Sequence, residues 1–451
     1  MAQALRPELL ARYAHERVPR YTSYPAAPHF KPDVSAATYE EWLHALRPGS
    51  ASLYVHIPFC AEMCWYCGCH TTVSRREAPV SRYLDALYEE LSLVGAAVQN
   101  SLAISHLHLG GGTPTIMAPE QMLALITRIR NWFHFSPKAE IAIEIDPRTF
   151  TAEMADALAE AGFNRASLGV QSFDPAVQQA INRRQSFEQT TAAVDHLRGN
   201  GVERINFDLI YGLPHQSVAS CLETVEQALR LAPDRLAVFG YAHVPAFKPH
   251  QRKIQADALA GPDERFIQSR AIADALIAGG YVEVGLDHFA SPDDPLAIAA
   301  NNGCLHRNFQ GYTTDAAEVL IGLGASAIGR MPGGFVQNEV RIPHYQRSLQ
   351  EGRLPTARGY RFTGEDRLRG AVIERLMCDY RVDLSDICRR FAADPSELLA
   401  GADLDRFAAD GLIDRSGAEL KVRPHARPLV RSIAAAFDTH LAPPECHSRA
   451  V

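Results

Sequence analysis

The chain has 451 residues, 47% hydrophobic and 22% charged, which is long enough to bury a large core and excludes a small stapled scaffold. Its 45 Lys and Arg stand against 52 Asp and Glu, a formal charge of -7, which argues against a nucleic-acid binder whose affinity comes from counterion release. No cationic stretch leads into an apolar one at the start and no eighteen apolar residues run together, so a soluble cytoplasmic protein with no membrane span is expected.

The first segment carries Pro19-Arg20-Tyr21-Thr22-Ser23-Tyr24-Pro25, too aromatic for a disordered linker and too rich in proline for a helix, so it is expected to pack onto something. Short apolar, β-branched runs then recur at Leu53 to Ile57, Ile104 to Leu109, Ile141 to Ile145, Ala166 to Val170, Ile205 to Ile210 and Leu236 to Tyr241. Between them, stretches such as Ser81 to Val98, Pro119 to Trp132, Ala152 to Ala161, Phe187 to Arg198 and Val218 to Leu231 space apolar residues by three and four. This alternation predicts a parallel α/β sheet covered by helices. Six such units can close partly into a barrel or stay open as a doubly wound sheet, and periodicity does not choose. In either case the functional groups belong at the strand ends.

After this core come a helix near Glu264 to Ala278, a loop-rich stretch through Gly324, and turn punctuation at Met331-Pro332-Gly333-Gly334. From Gly364 the pattern is helical, over Asp366 to Met377, Leu384 to Phe391 and Leu404 to Asp410. Leu412-Ile413 and Leu420-Lys421-Val422 read as a hairpin before a last helix at Val430 to Phe437, and three helices with a hairpin resemble a winged helix. Between Glu365 and Asp438, 14 acidic residues oppose 12 Lys and Arg, so this module lacks the basic face of a DNA reader.

Of nine cysteines, Cys60, Cys64, Cys67 and Cys69 fall within ten residues, while Cys221, Cys304, Cys378, Cys388 and Cys446 are scattered and read as small apolar fillers. The C-x3-C-x2-C spacing follows the first predicted strand and puts three thiolates on one tight loop, where they can hold three irons of a [4Fe–4S] cluster and leave the fourth open to a chelating small molecule. A structural zinc site draws separated cysteine pairs, and no second pair follows. A Cys64/Cys67 thiol–disulfide pair would leave Cys60 unexplained. Glu144, Gln171 and Asp208 each stand at or near a strand end and face one mouth, whereas Asp174 reads as a helix cap. Gly110 to Gly112 suit either a close ligand or a tight turn. Gly322 to Gly329 misses the GxGxxG spacing and is not a dinucleotide loop.

The tail Pro19 to Pro25, Tyr54-Val55-His56-Ile57-Pro58-Phe59-Cys60, Gly110-Gly111-Gly112-Thr113-Pro114-Thr115, Glu144-Ile145-Asp146-Pro147-Arg148, Ser167 to Phe173 and Asn206 to Pro214 follow one another in an order and spacing similar to a known family. Together with the C-terminal module they resemble the oxygen-independent coproporphyrinogen III oxidases (dehydrogenases), radical S-adenosylmethionine enzymes of haem biosynthesis. Trp65 and Tyr66 replace the usual Tyr and Phe, and His70 a common Asn.

The resemblance implies a partial (β/α)6 radical-SAM barrel over 49–245, an N-terminal tail over 1–48 near the active site, an extension over 246–362, and a smaller, mostly helical, winged-helix-like domain over 363–451. It implies a [4Fe–4S] cluster on Cys60, Cys64 and Cys67. It implies two S-adenosylmethionine molecules, one meeting Tyr66, Gly112, Thr113, Gln171, Arg183, Asp208 and Ala242, the other Tyr54, Gly111, Glu144 and Ile328. Tyr54, His56 and Cys69 are the catalytic candidates, with Cys69 not a ligand of iron. Arg20, with Tyr21 and Tyr24 near the tetrapyrrole, is the candidate for substrate propionates. The implied reaction is anaerobic oxidative decarboxylation of two propionates of coproporphyrinogen III to vinyl groups, giving protoporphyrinogen IX, through a 5'-deoxyadenosyl radical. A reduced flavodoxin- or ferredoxin-type donor, an unidentified electron acceptor, no nucleic acid and a monomeric state go with it. The alternative is a paralogous haem chaperone, a branch that usually has Phe at the Cys69 position and lacks the aromatic tail.

Overall fold

The computed structural model describes residues 7–14, 16–99 and 101–441. The chain forms two compact units, a core unit of Phe30–Ala260 with Asp315–Arg361, and a terminal unit of Met1–His29, Gly261–Thr314 and Phe362–Val451. The units are discontinuous in sequence, and the segment 246–362 contributes to both.

In the core unit, strands β1 (Gly49–Ile57), β2 (Leu102–Gly111), β3 (His134–Ile145), β4 (Arg165–Gln171), β5 (Arg204–Tyr211) and β6 (Arg235–Gly240) alternate with helices α1 (Glu77–Val98), α2 (Pro119–Trp132), α3 (Ala152–Ala161), α4 (Phe187–Gly199) and α5 (Val218–Arg230). Helices α3, α4 and α5 start where the sequence offers caps: Thr151 accepts from Met154 N–H, Ser186 from Gln189 N–H and Ser217 from Ser220 N–H. The strands pair in parallel and in consecutive order from β1 to β6. A doubly wound sheet reverses its order at a switch point and so covers both faces; unbroken order keeps every right-handed crossover on one face, which is barrel winding. On its other edge β1 pairs with β7 (Val319–Leu323), so the arc stays open, a partial barrel.

β7 lies in the stretch expected to be loop-rich. It is buried throughout and parallel to β1, followed by an antiparallel meander of β8 (Ile328–Met331), β9 (Gly334–Asn338) and β10 (Thr356–Arg361). Five residues that end in Gly322-Leu323 and are followed by Gly324 are too short to show periodicity, and the glycines masked a fully buried strand. The Gly322 to Gly329 segment is thus a strand, a turn and the start of another strand.

The terminal unit buries Tyr13, Val18, Tyr21 and Tyr24 of the tail among Leu376, Leu429, Ile433 and Phe437. A three-stranded sheet joins Arg381–Asp383, Glu419–Val422 and Ile413–Ser416, adding one strand to the expected hairpin. Helices at Pro7–Ala14 and Ala36–His44 lie where only a tail was expected. Cys221, Cys378 and Cys388 are buried as expected of fillers; Cys304 is exposed just after the helix Pro295–Asn301, and Cys446 lies outside the described residues. Among the described residues no helix is long and apolar enough to cross a membrane.

Candidate active site

The cysteine loop leaves β1 at Ile57 and is closed by a short parallel pairing of Phe59–Cys60 with Thr72–Val73. Side chains from other elements pin its carbonyls. Lys248 Nζ donates to Cys69 O at 2.9 Å, His250 Nε2 to Cys67 O at 2.7 Å and Gln251 Nε2 to Tyr66 O at 2.9 Å. Asn182 Nδ2 donates to Met63 O at 2.9 Å, and Trp65 N–H to Ile181 O at 2.9 Å. A loop without a ladder of its own is thereby held in one shape, which fixes the directions of its sulfurs.

Each of the first three thiols has donors aimed at it. Thr71 and Thr113 hydroxyls lie 3.1 and 3.6 Å from Cys60 Sγ, Arg148 Nη2 and Arg183 Nη1 lie 3.5 and 3.6 Å from Cys64 Sγ, and Cys69 N–H lies 3.4 Å from Cys67 Sγ. N–H and O–H groups on sulfur favour the thiolate, the form that ligates iron. Burial pushes the Cys60 thiol up. Hydrogen bonding from Cys69 pulls Cys67 down, and the same contact holds Cys69 up. Among the described residues no three His, Cys, Asp or Glu side chains close on a single ion. A four-iron cube takes one cysteine on each of three irons, and three thiols on one loop, each with its own hydrogen-bond donors, suit that demand.

The strand ends supply the rest of the mouth. At the end of β3, Glu144 Oε2 accepts Gly111 N–H at 2.9 Å and Oε1 lies 3.2 Å from His108 Nε2. Burial alone would raise this carboxyl, but the His108 and Gly111 contacts hold it below the usual range. Gly111 has φ +115°, and a side chain there would strike the His56 ring, while one at Gly110 would meet the Glu144 carboxylate. The β4–β5 ladder slips between Gly169 and Gln171, and Gln171 sits in the left-handed region at φ 68°. A bulge at the rim of a barrel re-aims the side chain that follows it. On β5, Asp208 accepts from the Ser167 hydroxyl at 3.1 Å and from Asn206 Nδ2 at 3.2 Å.

Tyr54 on β1 sits in register with His108 on β2 and Gly322 on β7. Its ring stacks on that of His108 with centroids 6.0 Å apart. A Cβ on Gly322 would strike the Ile328 carbonyl, so this close approach carries Ile328 to the strand beside Tyr54. Just past β3, Asp146 Oδ2 lies 2.6 Å from Arg148 Nη2 and Oδ1 3.3 Å from Arg183 Nη2. Burial would raise Asp146, yet Arg183 and Arg148 hold it at about 2. Arg183 also donates to Gly169 O at 2.7 Å, and its buried Nε has no hydrogen-bond partner among the described residues. An unpartnered buried guanidinium N–H beside the cysteine sulfurs, together with glycines that leave no room for side chains, fits an anionic, close-packed cofactor.

A model of the Radical SAM superfamily matches residues 54–228, and one of the HemN C-terminal domain matches residues 362–429. An oxygen-independent coproporphyrinogen III oxidase of Bradyrhizobium diazoefficiens is 56% identical over 450 residues, covering 99% of this chain and 100% of its own. The chain belongs to the oxygen-independent coproporphyrinogen III oxidases. Another oxidase so named, from Paracoccus denitrificans, is 44% identical over 96% of this chain and 97% of its own. The solved coproporphyrinogen III oxidase (HemN) of Escherichia coli, described as a radical SAM enzyme, superposes with a TM-score of 0.91 at 38% identity, covering 97% of this chain and 100% of that one.

For a member of this oxidase family, the structure adds residues the sequence reading left without roles. Asp146 and Arg148 lie in the quoted Glu-Ile-Asp-Pro-Arg block, but only Glu144 stood out there. Thr71, Lys248, His250 and Gln251 hold the loop, and the last three lie past residue 245, where the core was expected to end. Gln251 Nε2 spans the Tyr66 carbonyl at 2.9 Å and the Ala242 carbonyl at 3.3 Å, which brings those two predicted cofactor residues together. Asp174 caps the helix Pro175–Ala180 as expected, accepting Ala176 N–H at 2.8 Å. In the terminal unit Arg20 is exposed, whereas Tyr21 and Tyr24 are buried with their hydroxyls 3.0 Å from Asp438 Oδ2 and 3.1 Å from Thr439 Oγ1. Those two rings build the core of that unit.

Proposed function

We propose that the chain catalyses the anaerobic oxidative decarboxylation of two of the four propionates of coproporphyrinogen III, giving protoporphyrinogen IX. One observation carries the reading: three cysteine sulfurs on the loop after β1, each with a hydrogen-bond donor aimed at it, adjoin Arg183 and the strand ends that bear Glu144, Gln171 and Asp208. Cys60, Cys64 and Cys67 hold the [4Fe–4S] cluster. Gln171 and Asp208 serve the ribose and ammonium of one S-adenosylmethionine, the Tyr66 and Ala242 backbones its adenine, and Tyr54, Gly111, Glu144 and Ile328 a second molecule. When bound, cluster and S-adenosylmethionine supply a one-electron reductive cleavage whose carbon radical takes a hydrogen atom from an unactivated C–H bond.

Each reacting propionate loses a hydrogen atom from its β-carbon, its carboxyl group as carbon dioxide and one electron to an acceptor, and a vinyl group remains. The chain's own work is positional and electrostatic. Arg148 and Arg183 set positive charge beside the Cys64 sulfur, which favours the more negative, reduced state. Tyr54, His56 and Glu144 form a fixed polar wall, and Cys69 offers a protonated thiol beside the loop. Lys248, Arg252 and Lys253 flank the loop in an otherwise acidic chain, with Lys253 Nζ 5.5 Å from the Trp65 ring, a basic face for an acidic flavodoxin- or ferredoxin-type donor. The chain works as a monomer in the cytoplasm.

Anaerobic turnover of reconstituted protein with reductant, S-adenosylmethionine and coproporphyrinogen III tests the reading, scored by chromatography. Protoporphyrin and 5'-deoxyadenosine together are expected. Deoxyadenosine alone would mean a different substrate; neither product, from protein holding its iron and sulfide, would favour a haem carrier.

A further inference from the structure

We infer that His108 is a positioning residue for the second S-adenosylmethionine, holding the Glu144 carboxylate and the Tyr54 ring as one preformed surface. The inference rests on the two-molecule reading proposed above. His108 stands on β2 in register with Tyr54 of β1 on one side and Ala142 of β3 on the other. Residues two apart on a strand share a face, so Glu144 lies on the face of Ala142, whose methyl group leaves the imidazole room to lean along β3 toward it. His108 Nε2 lies 3.2 Å from Glu144 Oε1.

The second carboxylate oxygen, Oε2, accepts Gly111 N–H at 2.9 Å. A Cβ at Gly110 would stand 2.7 Å from Oε1 and 3.1 Å from Tyr54 Cε2, so the missing side chain is the space in which the carboxylate and the ring meet. Burial would raise the Glu144 carboxyl, and the His108 contact first, then that of Gly111, brings it below its ordinary range. An ionised carboxylate only accepts, so His108 donates from Nε2. Each Glu144 oxygen is engaged by one donor and keeps a further lone pair, and 37% of the side chain stays exposed. Those free positions suit the hydrogen-bond donors of a ligand, an ammonium or a hydroxyl.

The same imidazole fixes Tyr54. The two rings stack with centroids 6.0 Å apart and 20° between their planes, and the Tyr54 hydroxyl is held 2.9 Å from His56 Nδ1. Tyr54 is thus gripped by its face and by its tip. Glutamate loses considerable rotamer freedom when it is ordered, and a ligand that meets a carboxylate already held in place does not bear that cost. Without His108, ordering Glu144 would be charged to binding of the second molecule alone, since the partners of the first lie on other residues.

The test counts S-adenosylmethionine bound to the full chain with its cluster reconstituted, by equilibrium dialysis of the labelled compound. Wild type is expected to bind two molecules. His108→Phe keeps a ring against Tyr54 but has no N–H, and should raise Kd for one molecule about tenfold or more while the other changes by less than about twofold. Iron content, and the change in the EPR spectrum of the reduced cluster on adding S-adenosylmethionine, should match wild type. His108→Gln, which restores an N–H, should recover part of the lost affinity. Should His108→Phe not fold, His108→Leu carries the same expectations. Two molecules bound with wild-type affinities by the folded variant, an equal loss for both molecules, or a His108→Gln variant no better than His108→Phe would overturn the inference. Wild-type protein that binds a single molecule would overturn the two-molecule reading itself, and the inference with it.

Discussion

Tyr54 Oη lies 2.9 Å from His56 Nδ1, and His56 Nε2 lies 2.9 Å from the carbonyl of His70. A carbonyl only accepts, so Nε2 carries the proton, Nδ1 is the bare nitrogen, and the tyrosine is the donor. The imidazole therefore locks both the cysteine loop, through His70, and the Tyr54 hydroxyl. Tyr54→Phe leaves Nδ1 buried without a donor, and a loss of about 1 kcal/mol of stability is expected. Iron content should be unchanged while protoporphyrin formation falls at least tenfold. Equal turnover in the variant would remove Tyr54 from the catalytic set.

His56 also gives the fold a pH dependence of known sign. Burial lowers it to about 4, against 6.5 in an unfolded chain. Between these values the unfolded chain binds the additional proton, so acid favours unfolding. The contribution is complete above pH 6.5 and is lost as pH falls toward 4, on the order of 3 kcal/mol in all. His56→Gln, which does not titrate, should flatten the melting-temperature profile across pH 4 to 6.5. A profile of unchanged slope would show that other groups dominate that window.

Cys67 and Cys69 stand two residues apart, and the backbone N–H at position 69 points at Cys67 Sγ; the proposed roles of the two, ligand and non-ligand, are separable by substitution. Cys69→Ser keeps that N–H, so iron and sulfide content should match wild type while turnover falls tenfold or more. Cys67→Ser removes a proposed ligand and should lose the cluster together with all 5'-deoxyadenosine formation. Loss of iron from Cys69→Ser would reassign it as a ligand.

The six parallel strands were legible because buried parallel strands are apolar on both faces, and the cysteine spacing pointed to a cluster without help from the fold. Winding direction was not, since strand order is a property of pairing rather than of any one run. Gln251 and the Asp146–Arg183 pair were hidden for a similar reason: the pair joins residues 37 apart in sequence, and their meaning lies in the contact. Glu90, beside Glu89 on α1, carries no signal of its own in the sequence, and only the meander β7 to β9 folded over it shows that it is buried.

Glu90 is fully buried and accepts Gly324 N–H at 2.7 Å, Asn338 Nδ2 at 2.5 Å and the Tyr345 hydroxyl at 2.6 Å. Tyr83, two turns earlier on α1, donates its hydroxyl to His56 O at 2.7 Å and accepts Ala325 N–H at 2.9 Å, so this helix ties the β7–β8 turn to strand β1. Burial raises Glu90 to about 7 against the three donors, from 4.5 in the unfolded chain. In that window the folded protein holds a proton that the unfolded chain has released. Stability from this group is therefore present below pH 4.5 and is lost as pH rises through 7. Glu90→Gln abolishes the titration but sets an amide N–H against Asn338 Nδ2, itself a donor. The variant should be less stable than wild type at pH 5 by about 1–3 kcal/mol, with the difference shrinking toward pH 8 as wild type loses its proton. Denaturant melts at the two pH values measure this, and a gap that widens with pH would show that Glu90 is ionised throughout.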